Sequence, residues 1–434
     1  MKKLLLIGLN EVNFDLVKKY CSRNQGKYKN LEALESYSEF NFNTEDDYLN
    51  LEPWIQWASI HTGKKFAEHQ IFRLGDVVNS KVKQIYETLE ENHLEVGAVS
   101  PMNAKNNLNN AKYFIPDPWT NTASDESALS KSYHQLLIQS VNDNSKSRLT
   151  IKSIFTIIYI MFFIVRKSSW YFFAKYLLLS SKKKWFKALF LDLMTHEVHL
   201  HLLRKNSPNF SEIFLNSIAH IQHHYFMNFS EFNHHDLSKN PNWYIKKEQD
   251  PFVDSLGFLD MVVGDYMSMQ NNEVIFSTAL TQVPISPTFY YRLSDHRKFL
   301  ESININFTNV SPRMTRDFEI LFKEDKERDY AESVLQSIRS QKDIKVFGEI
   351  EKRPKSLFVT LTYPYEIDEN SEFFCCGKDL DLNSHVVFVA IKNGKHSNKS
   401  FTFIPEKISK EIPTSSERHI SEIFFIIKQY FGVS

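Results

Sequence analysis

Between residues 3 and 9 the chain carries a short unbroken apolar run, Leu4-Leu5-Leu6-Ile7-Gly8-Leu9, closed by the polar pair Asn10-Glu11. A run this short suits a central parallel strand with both faces covered by helices. It is too short for the apolar region of a leader peptide, and no small-residue cleavage site follows, so we read it as a buried first strand. Runs of the same kind recur at 94–99, 273–276, 356–361 and 385–391. Amphipathic stretches separate them at 13–20, 81–92, 255–270, 331–341 and 419–430. Strands alternating with helices predict an α/β fold with a mostly parallel sheet. Ligands of such sheets bind beyond the carboxyl ends of the strands, which directs attention to the residues after each run.

Charge narrows the function classes. Lys plus Arg and Asp plus Glu are equal at 52 each, so the chain lacks the basic excess of a dedicated nucleic-acid binder, and no nucleic acid is expected as a partner. Three cysteines, Cys21 and the neighbours Cys375 and Cys376, give no disulfide framework. That usage suits a reducing compartment, and the expected location is cytoplasmic or peripheral on the inner face of a membrane. No glycine-rich phosphate loop, Gly-x-Ser-x-Gly elbow or Cys-x-x-Cys pair is present.

One segment breaks the alternation. Residues 144–191 contain no acidic residue but ten basic ones, interleaved with aromatics such as Phe155, Phe162, Phe163, Trp170 and Tyr171. Its longest charge-free apolar stretch, 153–165, is shorter than the roughly 20 residues needed to cross a bilayer. Basic, aromatic and unable to span, residues 146–190 have the composition of an element lying on an anionic membrane surface. A helical hairpin packed on the sheet fits the same composition. The expected organisation is an N-terminal part of the core at 1–145, a helical insertion at 146–205, and a C-terminal part of the core at 206–434.

Several polar residues fall where a site is expected. Glu11 follows the first strand, and Glu52 precedes Pro53; paired carboxylates in a partly apolar cleft have their pKa values driven apart and can share acid and base roles. The cluster His220-Ile221-Gln222-His223-His224 sets His220 with His223 or His224 on one helical face, at metal-ligand spacing. His61, His396, Gln56 and Gln282 are further candidates, and Arg313 lies in a loop with Arg316 where the pair could grip an anion. His196-Glu197-Val198-His199-Leu200-His201 lacks the i, i+4 spacing of a zinc helix, and its rings are expected on different faces. Pro116-Asp117-Pro118-Trp119 could line a substrate cleft or form a rigid loop, and Asn233-His234-His235-Asp236 reads as a solvated loop.

The run from Leu51-Glu52-Pro53-Trp54 to His61-Thr62-Gly63, followed by Glu68-His69-Gln70-Ile71, resembles the type I phosphodiesterase/nucleotide pyrophosphatase branch of the alkaline phosphatase superfamily. The first strand and its sequel resemble that branch's opening strand and metal-binding turn. Ala219-His220-Ile221-Gln222-His223 resembles its Asp-x-x-x-His segment, residues 274–280 its Ser-Asp-His-Gly strand end, and Asn393-Gly394-Lys395-His396 its late Gly-x-His ligand. The resemblance implies an alkaline-phosphatase-like central sheet and ester cleavage by a hydroxyl nucleophile between two metal ions. The ligand set departs from the pattern, with Asn10 and Ala219 in place of Asp, and no hydroxyl near Glu52. A standard two-zinc site is not assembled by these residues.

The expectation is therefore a divergent hydrolase or transferase, with Glu11 and Glu52 catalytic and Asn10, Gln56, Gln282 and Arg313 on the substrate. His220, His223 and His396 would hold one divalent metal, zinc or manganese; otherwise no cofactor is implied. The substrate would be a phosphorylated or glycosylated small molecule, or a lipid-linked one presented at a membrane surface. The alternative is a scaffold that kept the fold, lost the chemistry, and binds a glycan or a partner.

Overall fold

The computed structural model describes the chain except residues 1, 46, 48–49, 143–148, 233–236, 238, 314–315 and 414–417. The loop 233–236 and part of the loop around Arg313 thus lie outside the described residues. Two compact units emerge, Met1–Asn233 with Glu248–Val283 and Gly394–Ser434, and His234–Lys247 with Pro284–Asn393.

The first unit is built on a seven-stranded sheet. We number its strands β1 (Leu4–Leu9), β2 (Ser38–Phe40), β3 (Val96–Val99), β4 (Tyr113–Ile115), β5 (Phe210–Leu215), β6 (Glu273–Ser277) and β7 (Thr402–Ile404). Their order across the sheet is β2-β7-β6-β1-β5-β3-β4. The five strands from β6 to β4 are parallel, and β7 joins antiparallel to both β6 and β2. The fold is α/β with a mostly parallel sheet. β1 sits at its centre, with Gly8 opposite Phe214 on one side and Ser277 on the other. All six β1 residues are buried, because helices cover both faces. Gly8 is required by packing, since a Cβ there would lie 2.8 Å from the Trp57 ring.

Helix α1 (Phe14–Arg23) begins where Asn13 accepts a hydrogen bond from the Leu16 amide, and it buries Phe14, Leu16, Val17, Tyr20 and Cys21. Helix α2 (Pro53–Thr62) has Pro at its first position and stops at Gly63 in a left-handed conformation, φ +68°. Three long elements follow: α3 (Trp185–Asn206), α4 (Ser217–Tyr225) and α5 (Pro251–Met267).

Strand β5 is absent from the sequence reading, because Ser211 and Glu212 interrupt its apolar character. Both are fully buried, and both are satisfied. Glu212 meets His61 Nε2 at 2.9 Å and accepts from the Tyr86 hydroxyl at 2.7 Å. Ser211 is bonded to the Tyr113 hydroxyl at 2.6 Å and His199 Nε2 at 2.8 Å.

The second unit corrects the assignment of two strands. The 356–361 run forms Ser356–Thr360 in a four-stranded antiparallel sheet with Glu349–Arg353, Asp317–Leu321 and Asn309–Pro312. The 385–391 run opens Val386–Ser397, which pairs with Thr281–Leu293 in a two-stranded ribbon. A short apolar run marks a strand without saying which sheet takes it. Phe299, Phe318, Phe347, Leu357 and Val359 lie in this unit's own core. It falls within the stretch read from sequence as the C-terminal part of the core, while the segments on both sides of residue 205 share the first unit.

The basic aromatic segment is helical: Ile151–Tyr159, a π-helical turn at Ile160–Ile164, Trp170–Leu179, and then α3. Arg166 fastens it. Its guanidinium meets both carboxylate oxygens of Asp265 at 2.6 Å and Glu197 Oε1 at 2.6 Å, while Ser169 donates to Glu197 at 2.6 Å. His196 Nε2 lies 2.9 Å from Asp265. No helix among the described residues is long and apolar enough to cross a membrane.

Candidate active site

Three parallel strands end in residues with left-handed backbone: Glu11 after β1 (φ +59°), Ala279 after β6 (φ +58°) and Ser100 after β3 (φ +57°). Side chains other than Gly, Asn and Asp seldom adopt this conformation, and it costs on the order of 1 kcal/mol or more. At Glu11 it is over-determined. The Asn10 amide donates to Leu215 O at 3.0 Å, and the Glu11 amide to Thr278 O at 3.1 Å, so the turn is tied to both neighbouring strands. The Glu11 carbonyl accepts from the Gln222 side chain at 2.7 Å.

This turn delivers the Glu11 carboxylate to two imidazoles. Glu11 Oε2 is 3.1 Å from His223 Nε2 and 3.2 Å from His396 Nε2, and the two ring nitrogens are 3.3 Å apart. His223 comes from the last turn of α4, and His396 from near the end of Val386–Ser397. The other face of the carboxylate is held by amides: Asn10 Nδ2 donates to Oε1 at 2.8 Å, and Gln282 Nε2 donates to Oε2 and to Ala219 O. Burial would raise the Glu11 pKa, but the charges of His396 and His223, with their hydrogen bonds, outweigh it and hold the carboxyl well below its usual range.

The far side of each ring is also engaged. His223 Nδ1 lies 3.1 Å from Gly394 O; a carbonyl only accepts, so this nitrogen carries a proton. His396 Nδ1 lies 3.3 Å from Glu52 Oε2. Glu11 Oε2 and the two Nε2 atoms thus face one another at 3.1–3.3 Å. One carboxylate and two imidazoles so close can share protons or hold a cation, and a histidine whose outer nitrogen donates to a carbonyl or carboxylate is the usual orientation of a metal ligand. Among the described residues, Glu11, His223 and His396 form the one group of His, Cys, Asp or Glu whose ligand atoms lie within 4.8 Å of each other. Glu11 is 3% exposed, His223 16% and His396 12%, so the cluster opens to solvent on its imidazole side.

The structure thus gathers Glu11, His223, His396 and Gln282, with Glu52 joined through His396. Asn10 belongs to the same place but is buried, its amide shared between Glu11 and Asn216 and its carbonyl accepting from the Trp57 indole at 3.0 Å. It orients Glu11 with no atom left toward a substrate. Gln56 is not brought to the cluster; its amide donates to Asn50 O at 2.9 Å and braces a loop. His61 lies within the fold against Glu212. His220 is exposed, stacked edge-on with His224 at 4.6 Å, and outside the Glu11 group. Arg313 lies in the second unit, paired with Glu319. Asp117 accepts four hydrogen bonds, from Asn103, Trp119 and Thr120, and shapes its own loop. His196 and His199 do not point to different faces; both reach the Tyr266 hydroxyl, at 3.3 and 2.7 Å, as an i, i+3 pair.

Gln222, Asn216 and Gly394 were missed by sequence reasoning. Gln222 holds the Glu11 carbonyl and the Asn13 amide, and it lies inside the histidine cluster that drew attention. Gly394 leaves room: a Cβ there would run into the Gln282 side chain and come within 2.7 Å of Gln222 O. Ala219 and Ala279, at or beside positions where the resembled family places ligands, are buried and offer none. The donor set fits one cation and does not fit two.

No family model and no curated protein matches this chain. Among solved structures, murine ectonucleotide pyrophosphatase/phosphodiesterase 5, in an inactive form with AMP, is 9% identical over 100% of this chain and 96% of its own, with a TM-score of 0.41. Phosphonoacetate hydrolase from Sinorhizobium meliloti 1021 in complex with phosphonoformate is 9% identical over 99% and 96%, at 0.43. Wild-type alkaline phosphatase PafA is 10% identical over 99% and 96%, at 0.46. All are of the alkaline phosphatase superfamily, the group that the sequence motifs resemble. At these identities and TM-scores the likeness carries no argument about this chain.

Proposed function

We propose that the protein is a divergent phosphodiesterase- or phosphatase-like hydrolase, or a transferase of the same chemistry, acting with one divalent cation held by Glu11, His223 and His396. The observation that carries this reading is the mutual approach of Glu11 Oε2 and the two Nε2 atoms, with the outer ring nitrogens engaged by Gly394 O and Glu52. Zinc and manganese both suit one carboxylate and two imidazoles. When bound, the cation supplies Lewis-acid polarisation of an ester oxygen.

The chain's own residues do the rest. Asn10 and Gln282 fix the Glu11 carboxylate, and Gln222 and Gly394 fix the backbone turn and the His223 ring. Glu52, one-third exposed at the start of α2, is the base that takes the proton from the attacking water. As water adds, the bond to the leaving oxygen breaks, and that oxygen leaves with the electron pair. Neither chain neighbour of Glu52, Leu51 or Pro53, carries a hydroxyl to act as a covalent nucleophile, so direct attack is favoured. The substrate is a phosphorylated or glycosylated small molecule, extended to a lipid-linked one by the surface described below.

Elemental mass spectrometry of the purified chain tests the reading. About one zinc or manganese per chain is expected, lost in His223→Ala and His396→Ala variants, together with turnover of a chromogenic phosphodiester that Glu52→Gln abolishes. A chain that holds no metal and takes none up in titration calorimetry overturns it. The buried Ala219 and Ala279 favour a second reading, a binding scaffold. In that case Glu11→Gln with Glu52→Gln leaves the protein's biological output intact.

A further inference from the structure

Surface helices of globular proteins turn apolar residues inward and polar residues to water. Ile151–Tyr159 does the reverse. Ser153 and Thr156 are its buried residues, at 3% and 7% exposure. Ile151, Ile154, Phe155, Ile158 and Tyr159 face solvent, and the row continues through the π-helical turn with Phe162 and Phe163. Their spacing, in pairs three and four apart, keeps them on one stripe. Ring contacts extend the stripe: Tyr159 stacks on Phe163 at 5.2 Å, and Phe162 meets Trp170 edge-on at 6.1 Å. Trp170, Tyr171, Leu177 and Leu178 then expose the outer side of Trp170–Leu179. Twelve of the twenty-one large apolar side chains exposed among the described residues fall between Leu149 and Leu178. So concentrated a patch marks an interaction surface.

We propose that this stripe is a docking surface for an anionic lipid bilayer, seated in the interfacial layer without crossing it. Charge selects the occupant. Lys152, Lys167, Lys182, Lys184 and Lys187 are exposed around the aromatic rows, and no acidic residue occurs between 144 and 191. Lys175 and Lys183 lie over aromatic rings, at 6.0 Å from Tyr171 and 5.3 Å from Trp185, the disposition of cations above an apolar layer. Exposed aromatics flanked by lysines match the boundary between acyl chains and anionic headgroups. A second copy of the chain fits poorly, because a two-fold contact would set the same lysines against each other. The Arg166 network holds the segment with its apolar side outward: Glu197 and Asp265 give Arg166 its partners beneath the stripe. The surface is independent of the chemistry proposed at Glu11.

Flotation of the full chain with phosphatidylcholine vesicles, with and without phosphatidylglycerol, tests the proposal. Binding is expected only with the anionic lipid and falls with added salt. Phe155→Asp with Phe163→Asp lowers the bound fraction by about tenfold or more, and Lys182→Glu with Lys184→Glu and Lys187→Glu weakens it at low salt. All these residues except Lys182 and Lys184, which stand in a turn, lie on exposed helix faces, and circular dichroism verifies that the variants keep wild-type helicity. Should the aspartate pair misfold, the lysine triple and a Trp170-dependent fluorescence shift on vesicle addition carry the same decision. Equal partitioning with neutral and anionic vesicles, or binding unchanged in both variants, overturns the proposal. So does a dimer seen by light scattering that Phe163→Asp dissociates while vesicles bind neither form.

Discussion

The side-chain amide of Asn10 lies 2.8 Å from Oε1 of Glu11, the next residue in the chain, and donates a hydrogen bond to it. The same amide reaches Asn216 Oδ1 at 2.8 Å, while the Asn10 carbonyl accepts from Trp57. An aspartate has only acceptors to offer and would set carboxylate against carboxylate. Asn10→Asp is expected to lose about 2–4 kcal/mol in chelator-treated buffer, measured by urea denaturation, and to recover part of it when zinc is added. Unchanged stability would show that the amide is dispensable.

Gly394 is expected to matter through the space it leaves. A methyl at that position collides with the Gln282 side chain and crowds Gln222 O. Gly394→Ala should therefore disturb the supports of Glu11 and weaken zinc retention by about tenfold or more, as changes behind the ligands do. Competition with a chromogenic chelator measures it, and unaltered affinity would remove Gln282 and Gln222 from the supporting role.

Asp192 gives a pH dependence with a definite sign. Burial pushes its carboxyl up to about 6, against hydrogen bonds from the amides of Asn216 and Ser217. Below about pH 4 the group is protonated whether folded or not, and it contributes nothing. Between about 4 and 6 the folded chain binds the proton more tightly, so stability falls as pH rises, and the full cost, on the order of 2–3 kcal/mol, is present above 6. Asp192→Asn removes this titration and keeps an acceptor. Urea midpoints of the two proteins should diverge in the variant's favour across that window; parallel curves would place the Asp192 pKa near its ordinary value.

His199 pulls in the opposite direction. Burial, with the nearby His196, lowers its pKa to about 3, and its ring is bonded to Tyr266 and Ser211. An unfolded histidine takes its proton near 6.5, so this residue withdraws stability as pH falls below that value. His199→Gln should cost about 1–3 kcal/mol at neutral pH, yet flatten the loss between pH 6 and 4.

Arg166→Met isolates the charge of Glu197, whose side chain is fully buried. Breaking a buried pair from one side costs about 3–5 kcal/mol, whereas Arg166→Met combined with Glu197→Met should cost less than the single change. Thermal unfolding of the three proteins measures the coupling. Equal losses would mean that Asp265 alone holds Arg166.

The parts of the fold that a sequence displays are those where one segment satisfies its own pattern. β1 is uniformly apolar because both of its faces are covered, and α1 carries its cap and its apolar stripe within eleven residues. β5 was illegible because Glu212 and Ser211 are matched by His61, Tyr86, Tyr113 and His199, residues distant in the chain. The second unit was hidden because the runs at 356–361 and 385–391 are as apolar as parallel strands. At the site, Glu11 and His223 were visible from their places after a strand and within a histidine cluster. Gln56 and His61 misled because a polar residue in a helix looks alike whether it faces a cleft or fills the interior. The role of Asn10 appears only once Asn216 and Trp57 are brought beside it.

The polar underside of Ile151–Tyr159 has a mechanical consequence. Ser153 bonds Gln139, and Thr156 bonds back to Lys152 O, so this helix returns little apolar area to water when it lifts from the protein. Ile160 and Ile164, by contrast, are buried just beyond it, in the π-helical turn. The element is thus held mainly by polar contacts at its N-terminal end and by apolar ones at the π-helical turn, and such a turn is a common place for a hinge. Its amides should exchange with solvent ahead of those of Trp185–Asn206, because local opening follows the apolar contacts that must be given up.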